Sequence, residues 1–584
     1  TLGAGVNTIT ATTIVGDLDV IGTDGVDDLT LTDIGGAISA NLGAENNNVR
    51  LTNAVLLSDS VNLTTSSGID VIDLTGVEGN LTLTLGSGDN AVTIDAVTGD
   101  ITLTTTLGND SVTLTNIAGD VILDLGEGNN TVSLINTQAG GDVTVTSGTG
   151  VDGIILDNVA GQSTDTVTLN LGDGANTASV TTVNGNLEVN GTDGKDTLTL
   201  TEVDGDITID SGDGINTIHL INTAVQSGNV TIDTGTGDDE ISLTEIVGAL
   251  VLRAGSGGNK VTLRNTLVGG AQRFTGGSVN VMSGSGTDHV TMTNIGADTS
   301  IALSDGDNQL LLNNVDGDAL ITAGDGADRI SLTDIVGVAN IGNSGKGDDE
   351  IYISTDGQAI LNSGDDNDTI NIGKIGADST IYGGAGDDTI RVNFTENGSQ
   401  TFINGISAEL TLEGGAGSDS YEVGLSGDGS SLINIFDNSL ADGGVDRLRI
   451  YGTDKEDFFL FRPGSISAVE LDEDRNPKAG GGVERLNYNG DINGGTTIYG
   501  RDGDDNFIFD DTDSSLTVYG DAGNDNFQLG QVYKSPRGDN SGLAPEEQFD
   551  TTQVTEGFLS NGVSYSASLF GGIGNDSFTV YRNL

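Results

Sequence analysis

One short unit recurs along this chain, and it constrains the fold more than any other feature. A Gly-rich turn ends in an Asn or Asp marker, which returns at Asn7, Asp27, Asn47, Asp70, Asn90, Asp110, Asn130, Asp152, Asn176, Asp196, Asn216, Asp239, Asn259, Asp288, Asn308 and Asp328. Most steps are 20 residues. A self-similar period of that length signals a solenoid, whose units bury their apolar faces only by stacking on neighbours. The expected fold is all-β: an elongated parallel β-solenoid, of β-helix or β-roll type, with about 20 residues per repeat segment.

A single coil shows the local pattern. Gly86-Ser87-Gly88-Asp89-Asn90 is followed by Ala91 to Val97, then Gly99-Asp100, then Ile101 to Thr105. This reads as turn, strand, turn, strand. Val92, Ile94, Ile101 and Leu103 recur at period two and are expected to point inward, with Thr93, Thr102 and Thr104 outward. Thr, Val and Ile suit a pleated, half-buried surface. Gly supplies the positive φ that tight corners need. The second corner returns as Gly16-Asp17, Gly79-Asn80, Gly119-Asp120, Gly205-Asp206 and Gly317-Asp318.

Asn and Asp alternate without a break through these markers, and insertions fall mostly between an Asn turn and the next Asp turn. They lie at Ala54–Ser58, Gln138–Gly140, Ala224–Ser227 and Leu267–Thr275. The sequence unit is therefore a pair of segments. Two geometries fit it: one coil per segment, which is favoured, or one four-stranded coil per pair. Charge gives a reason for the alternation. Like carboxylates stacked about 4.8 Å apart repel by roughly 3–4 kcal/mol at an effective dielectric near 20, and interposed Asn about halves that.

The net charge is −66, from 87 acidic and 21 basic residues. Nucleic acid is excluded as an expected partner, because it needs a basic surface. So many carboxylates repel one another unless cations or salt intervene. Adaptation to high salt is one answer; bound divalent cations are the favoured one, because the acids sit in phased turns. Cysteine is absent, which removes disulfides and zinc–thiolate sites. No apolar stretch is long enough for a transmembrane segment. The chain opens and closes within repeats, as a processed or partial piece of a longer protein would.

The character of the chain changes toward its C-terminus. All 14 Phe and 10 Tyr fall at or after Phe274, and all 4 Pro fall after residue 460. Residues 1–380 read as a regular Thr/Gly-rich solenoid, and 381–584 as an irregular, aromatic-containing one with longer loops. In the second part the turn becomes Gly383-Gly384-Ala385-Gly386-Asp387-Asp388-Thr389-Ile390-Arg391, with relatives at Gly414–Tyr421, Gly520–Phe527 and Gly571–Phe578. These turns resemble the repeats-in-toxin, or haemolysin-type calcium-binding, nonapeptide G-G-x-G-x-D-x-U-x. The stretch from Gly443 onward resembles the repetitive parts of very large bacterial surface, adhesin-like proteins.

The resemblance implies a Ca2+-loaded β-roll in a secreted protein, with the sixth-position Asp and turn carbonyls holding calcium between coils. That role carries to Asp388, Asp419, Asp505, Asp525 and Asp576, and by extension to Asp239, Asp328, Asp349 and Asp368. Calcium takes six to eight oxygens, and a Gly-rich turn presents carbonyls beside a carboxylate. The chain departs from the family in two ways. Its second corner is only Gly-Asp or Gly-Asn, and Asn replaces the ligand Asp at half the early turns. The turns before residue 230 therefore read as structural ladders.

Catalysis has little to build on. His219 and His289 sit in strand patterns and read as outward residues. Only Arg50 and Lys195 are basic before Arg253. Arg447, Arg449, Lys455, Arg462, Arg475, Lys478, Arg485 and Arg501 mark the one candidate substrate groove of a lyase- or epimerase-like β-helix, and salt bridging is their plainer role. Thr30/Thr32, Thr113/Thr115, Thr199/Thr201 and Thr291/Thr293 resemble ice-binding arrays, but Asp73/Thr75 and Ile155/Asp157 interrupt them.

The expectation is an extracellular or cell-surface structural repeat protein and not an enzyme. It would be a calcium-stabilised stalk, filament or surface-layer segment that self-associates or joins a larger assembly. A polysaccharide-binding or polysaccharide-modifying β-helix is the alternative, and an ice-binding adhesin region the second.

Overall fold

The computed structural model describes residues 1–137, 141–222, 228–264, 278–437, 443–539 and 541–581, without the side chains of 55–59. The insertions expected at 138–140, 224–227 and 267–275 lie outside the described residues. The chain forms two compact units, Thr1–Ala297 and Asp298–Leu584. Each is a parallel β-solenoid.

In the first unit, Asn7–Ile14 runs parallel to Asp27–Ile34 with Asn7 opposite Asp27. Val71–Thr84 runs parallel to Ala91–Val97 with Val71 opposite Ala91. In the second, Gln309–Val315 runs parallel to Arg329–Ile335 with Gln309 opposite Arg329. Neighbouring segments are therefore neighbouring coils, which decides for the 20-residue coil over the 40-residue one. Among the described residues the only helix is the 3-10 turn Pro545–Glu547, and none is long and apolar enough to cross a membrane.

Each coil contributes one strand after its marker turn and one after its second corner. Val92, Ile94, Ile101 and Leu103 are buried, whereas Thr93, Thr102 and Thr104 face out. The strict alternation breaks at one place. Ala96 has φ 59°, in the left-handed region. That residue re-aims the strand end, so that Val97, three places after Ile94, also faces the core. The same position is Asp33, Asn53, Asn116, Asn136, Asn158, Asn294 and Asn314, and Asn and Asp tolerate this conformation best. The insertion at Ala54 is accommodated as a bulge: the register of Asn48–Thr64 against Val71–Thr84 shifts between Val55 and Ser60.

The outward rows are mixed. Thr30 stands opposite Arg50, and Thr75 opposite Asp95. His219 lies on such a row between Thr199 and Ser242.

Within the second unit the marker turn changes corner. Glu409–Ala416 enters the turn to Asp419, which feeds Ser420–Gly424. Arg447–Tyr451, after Asp446, pairs with Ser420–Gly424 on one side and Thr496–Tyr499 on the other. Thr496–Tyr499 then leads out through Gly500 and Asp505 into Asn506–Phe509. The Gly-to-Asp turn thus leaves the sheet that it formerly entered, and Asp457, Asp505, Asp525 and Asp576 occupy the opposite corner. The second sheet continues through an antiparallel excursion, Phe458–Arg462 on Ser465–Val469 on Val483–Tyr488. Stacked rings fill this part. Phe459, Phe507, Phe527 and Phe578 follow one another at 5.5, 4.8 and 4.7 Å between centroids. In-register parallel strands put like side chains one strand spacing apart.

Candidate metal centre

The markers point inward because the backbone needs them there. A tight corner interrupts the strand ladder and leaves an N–H without a carbonyl, and a buried N–H must be paired. In coil after coil the marker N–H donates instead to the side-chain Oδ1 of the marker in the next coil. Asn47 donates to Asp70 at 2.8 Å, Asp70 to Asn90 at 3.1 Å and Asn90 to Asp110 at 2.8 Å. In the second unit the row runs Asp328 to Asp349, Asp368, Asp388, Asp419 and Asp446, at 2.7–2.8 Å. At the other corner Asp457 donates to Asp505, Asp505 to Asp525 and Asp525 to Asp576, at 2.8, 2.9 and 3.1 Å.

Asn and Asp differ in the remaining atom. Asn7 Nδ2 donates to the carbonyls of Gly3 and Gly5 and to Asp27 Oδ1. Asn90 Nδ2 donates to Gly88 O and Asp110 Oδ1, both at 2.9 Å. An Asn turn is closed by its own amide. In an Asp turn Oδ1 keeps the same bond, so Oδ2 stands where that nitrogen stood and brings no hydrogen. Oδ2 of Asp239, Asp328, Asp349, Asp368, Asp388, Asp419, Asp505 and Asp525 is buried without a hydrogen-bond partner. Asp576 is half-buried. The early turns share this feature at Asp27, Asp70, Asp110, Asp152 and Asp196. These turns, like that of Asp239, have an Asn in the coils on either side, which the row from Asp349 to Asp419 lacks.

Loss of the alternating Asn shows in the electrostatics. Burial, with neighbouring carboxylates adding to it, pushes Asp328 up to about 7, Asp349 to about 6, Asp368 to about 8, Asp388 to about 6 and Asp419 to about 8. Asp505 is pushed to about 8 for the same reasons. Burial also raises Asp239 and Asp525. Loss of hydration disfavours the charged form, and like charges add to the cost. Asp457 is raised by burial to about 7, but its Oδ2 accepts from the Thr453 N–H at 2.6 Å.

The fifth residue before each marker follows the same division. Before Asn it is often a buried Leu, as at Leu42, Leu85, Leu125 and Leu171. Before Asp it is a hydroxyl residue or Gly in most coils. Thr105 and Thr234 donate to the next coil's carbonyl, at 2.6 and 2.9 Å. Where it is Gly, a side chain has no room. A β-carbon on Gly383 would meet Asp388 Oδ2 at 2.4 Å and Gly414 O at 2.5 Å; one on Gly500 would meet Asp505 Oδ2 at 2.3 Å and Gly520 O at 2.8 Å. A carboxylate oxygen and a carbonyl from the neighbouring coil converge there with no donor between them. That donor set fits a hard cation, and Asp388, Asp505 and Asp525 with the carbonyls of Gly414, Gly520 and Gly571 would hold it.

Much of the surface acidity has a separate role that the periodicity does not disclose. The residue before the marker accepts from the next coil's backbone: Asn109 N–H on Asp89 at 2.7 Å, Ser418 N–H on Asp387 at 2.8 Å and Asn524 N–H on Asp504 at 2.8 Å. The second corner does the same, with Asp120 N–H on Asp100 at 3.1 Å.

Two further acids, Asp437 and Asp446, lie with Asp419 in one buried group. Among the basic residues, Arg449 pairs with Glu422, Arg462 with Asp510 and Glu547, and Arg475 with Glu456 and Asp504. Lys478 pairs with Glu470, Arg485 Nε donates to Asn487 Oδ1, and Arg501 lies over the rings of Phe402 and Tyr451. No protein-family model, curated protein or solved structure matches the chain.

Proposed function

We propose that this chain is an extracellular structural segment: a calcium-stabilised β-solenoid serving as a stalk, filament or surface-layer element, and not an enzyme. The observation that carries the reading is the unbroken buried row Asp328, Asp349, Asp368, Asp388 and Asp419, each with an unpartnered Oδ2. Carboxylates one strand spacing apart in a dry interior do not all ionise alone. They hold protons, or they hold a divalent cation that binds only the folded chain and stabilises it by mass action. Calcium is plentiful outside cells and scarce within, so folding would be completed after export.

The scaffold reading is also supported by Arg449, Arg462, Arg475 and Lys478, which pair with acids. Association with further copies or a larger assembly is supported by Phe570, Phe578 and Val580, about half exposed on Ala567–Phe570 and Ser577–Val580. Exposed strand edges with apolar side chains accept another strand.

The test is circular dichroism of the full chain with and without a chelator at fixed ionic strength. Chelation is expected to lower the melting temperature and reduce the β signal, and calcium to restore both. An unchanged spectrum and melting point would replace calcium binding by adaptation to salt.

A further inference from the structure

Asp437 is not a turn marker. It follows Ser431–Ile435, in which Ile435 stands opposite Leu412. Two residues further on, Asp437 takes the place that Gly414 holds in the preceding coil. The position that is bare at Gly383 and Gly414 here carries a third carboxylate, between the successive markers Asp419 and Asp446. One carboxylate oxygen from each of Asp419, Asp437 and Asp446 lies within 4.8 Å of the other two. All three residues are at most 1% exposed. Oδ1 of Asp446 accepts from the Asp419 N–H at 2.7 Å, while Oδ2 of Asp446 and Oδ2 of Asp419 are buried with no hydrogen-bond partner. Among the described residues no Lys or Arg forms an ion pair with Asp419 or Asp446.

Tyr421 fixes the group from one side. Its fully buried hydroxyl donates to Asp437 Oδ2 and accepts from the Gly414 N–H at 2.5 Å. Ionised together, the three carboxylates gather like charge in the interior, where each disfavours the ionisation of the others.

We propose that Asp419, Asp437 and Asp446 form a discrete, enclosed site for one hard divalent cation of calcium's class. Magnesium sheds its water reluctantly and holds to octahedral geometry, whereas calcium accepts an irregular set of carboxylate and carbonyl oxygens. The site shares Asp419 with the row of loaded turns, but Asp437 and Asp446 are its own, so a change at Asp437 separates the two ideas. Its place in the fold gives it a task. Asp446 N–H no longer meets a marker carboxylate but Asn493 Oδ1, at 3.2 Å. The ion pins the coil at which the marker row gives up its corner.

Equilibrium dialysis of the full chain against calcium counts the ions bound. Asp437→Asn is expected to bind one ion fewer than the unaltered chain while keeping its circular dichroism. A folded Asp437→Asn chain with the unaltered ion number and affinity overturns the site. Terbium alone, excited through tyrosine, gives a second readout. Tyr421→Phe keeps all three carboxylates and is expected to lose part of the sensitised emission at unchanged stoichiometry; undiminished emission overturns the site even if Asp437→Asn does not fold. If the unaltered chain binds a single ion that Asp437→Asn abolishes, the site stands and the loaded turns fall. A chain that binds neither ion removes both.

Discussion

The side-chain amide of Asn90 donates to Asp110 Oδ1 at 2.9 Å, both residues buried, and the same nitrogen closes its own turn on Gly88 O. Asp110 has no hydrogen to offer in return. The alternation of Asn and Asp is therefore more than a spacing of charges: Asn90 supplies two donated bonds, and Asp110 leaves its Oδ2 open.

Replacing that donor gives the first prediction. Asn90→Asp keeps Oδ1 for the Asp70 N–H but sets a carboxylate oxygen against Gly88 O and Asp110. With chelator, urea unfolding of the full chain is expected to show a loss of about 1–3 kcal/mol, the cost of an unsatisfied buried group. Calcium is expected to return part of it. No loss in chelator would mean that the open oxygen is satisfied in some other way.

The second prediction concerns pH. Asp328, Asp368, Asp419 and Asp505 titrate between about 7 and 8 when folded, against about 3.9 for an unfolded Asp. The folded chain then holds more protons than the unfolded chain between these values, so its stability falls as pH rises through that window. Calorimetry in chelator is expected to give a higher melting temperature at pH 5 than at pH 8. Excess calcium flattens the trend, because the ion takes the place of the protons. A melting temperature that rises with pH in chelator would show these carboxylates already charged and paired.

Room beside the carboxylate is the third. Gly500→Ala places a β-carbon against Asp505 Oδ2 and Gly520 O, whereas a β-carbon on Gly490 meets nothing within 4 Å. The first change is expected to cost about 1–3 kcal/mol by overpacking, and the second to stay within about 0.5 kcal/mol. Thermal melts of the two variants compare them directly, and equal effects would remove the special standing of Gly500.

The fourth separates scaffold from catalyst. Incubation with acidic and neutral polysaccharides is expected to release no new reducing ends and no unsaturated products. Turnover that Arg485→Ala or Arg501→Ala abolishes would overturn the scaffold assignment.

The sequence by itself determined the repeat. Gly-rich corners every 20 residues and the alternation of Val92, Thr93 and Ile94 require a coil, because only stacking buries one face of so short a unit. It also showed that the Asp markers are phased, and so that successive markers share one place in neighbouring coils. Tertiary structure decided what happens at that place. A left-handed residue such as Ala96 shifts the inward phase, and local alternation does not register a change of φ. The direction of the marker bonds, Oδ1 used and Oδ2 left over, depends on a neighbour at least 19 residues away in the chain. The move of the turn to the other corner at Asp457 keeps the Gly and Asp spacing intact while reversing which sheet it feeds. The grouping of Asp437 with Asp419 and Asp446 has no motif at all. It arises because strand pairing brings residues from successive coils to one strand spacing, whatever lies between them in the chain.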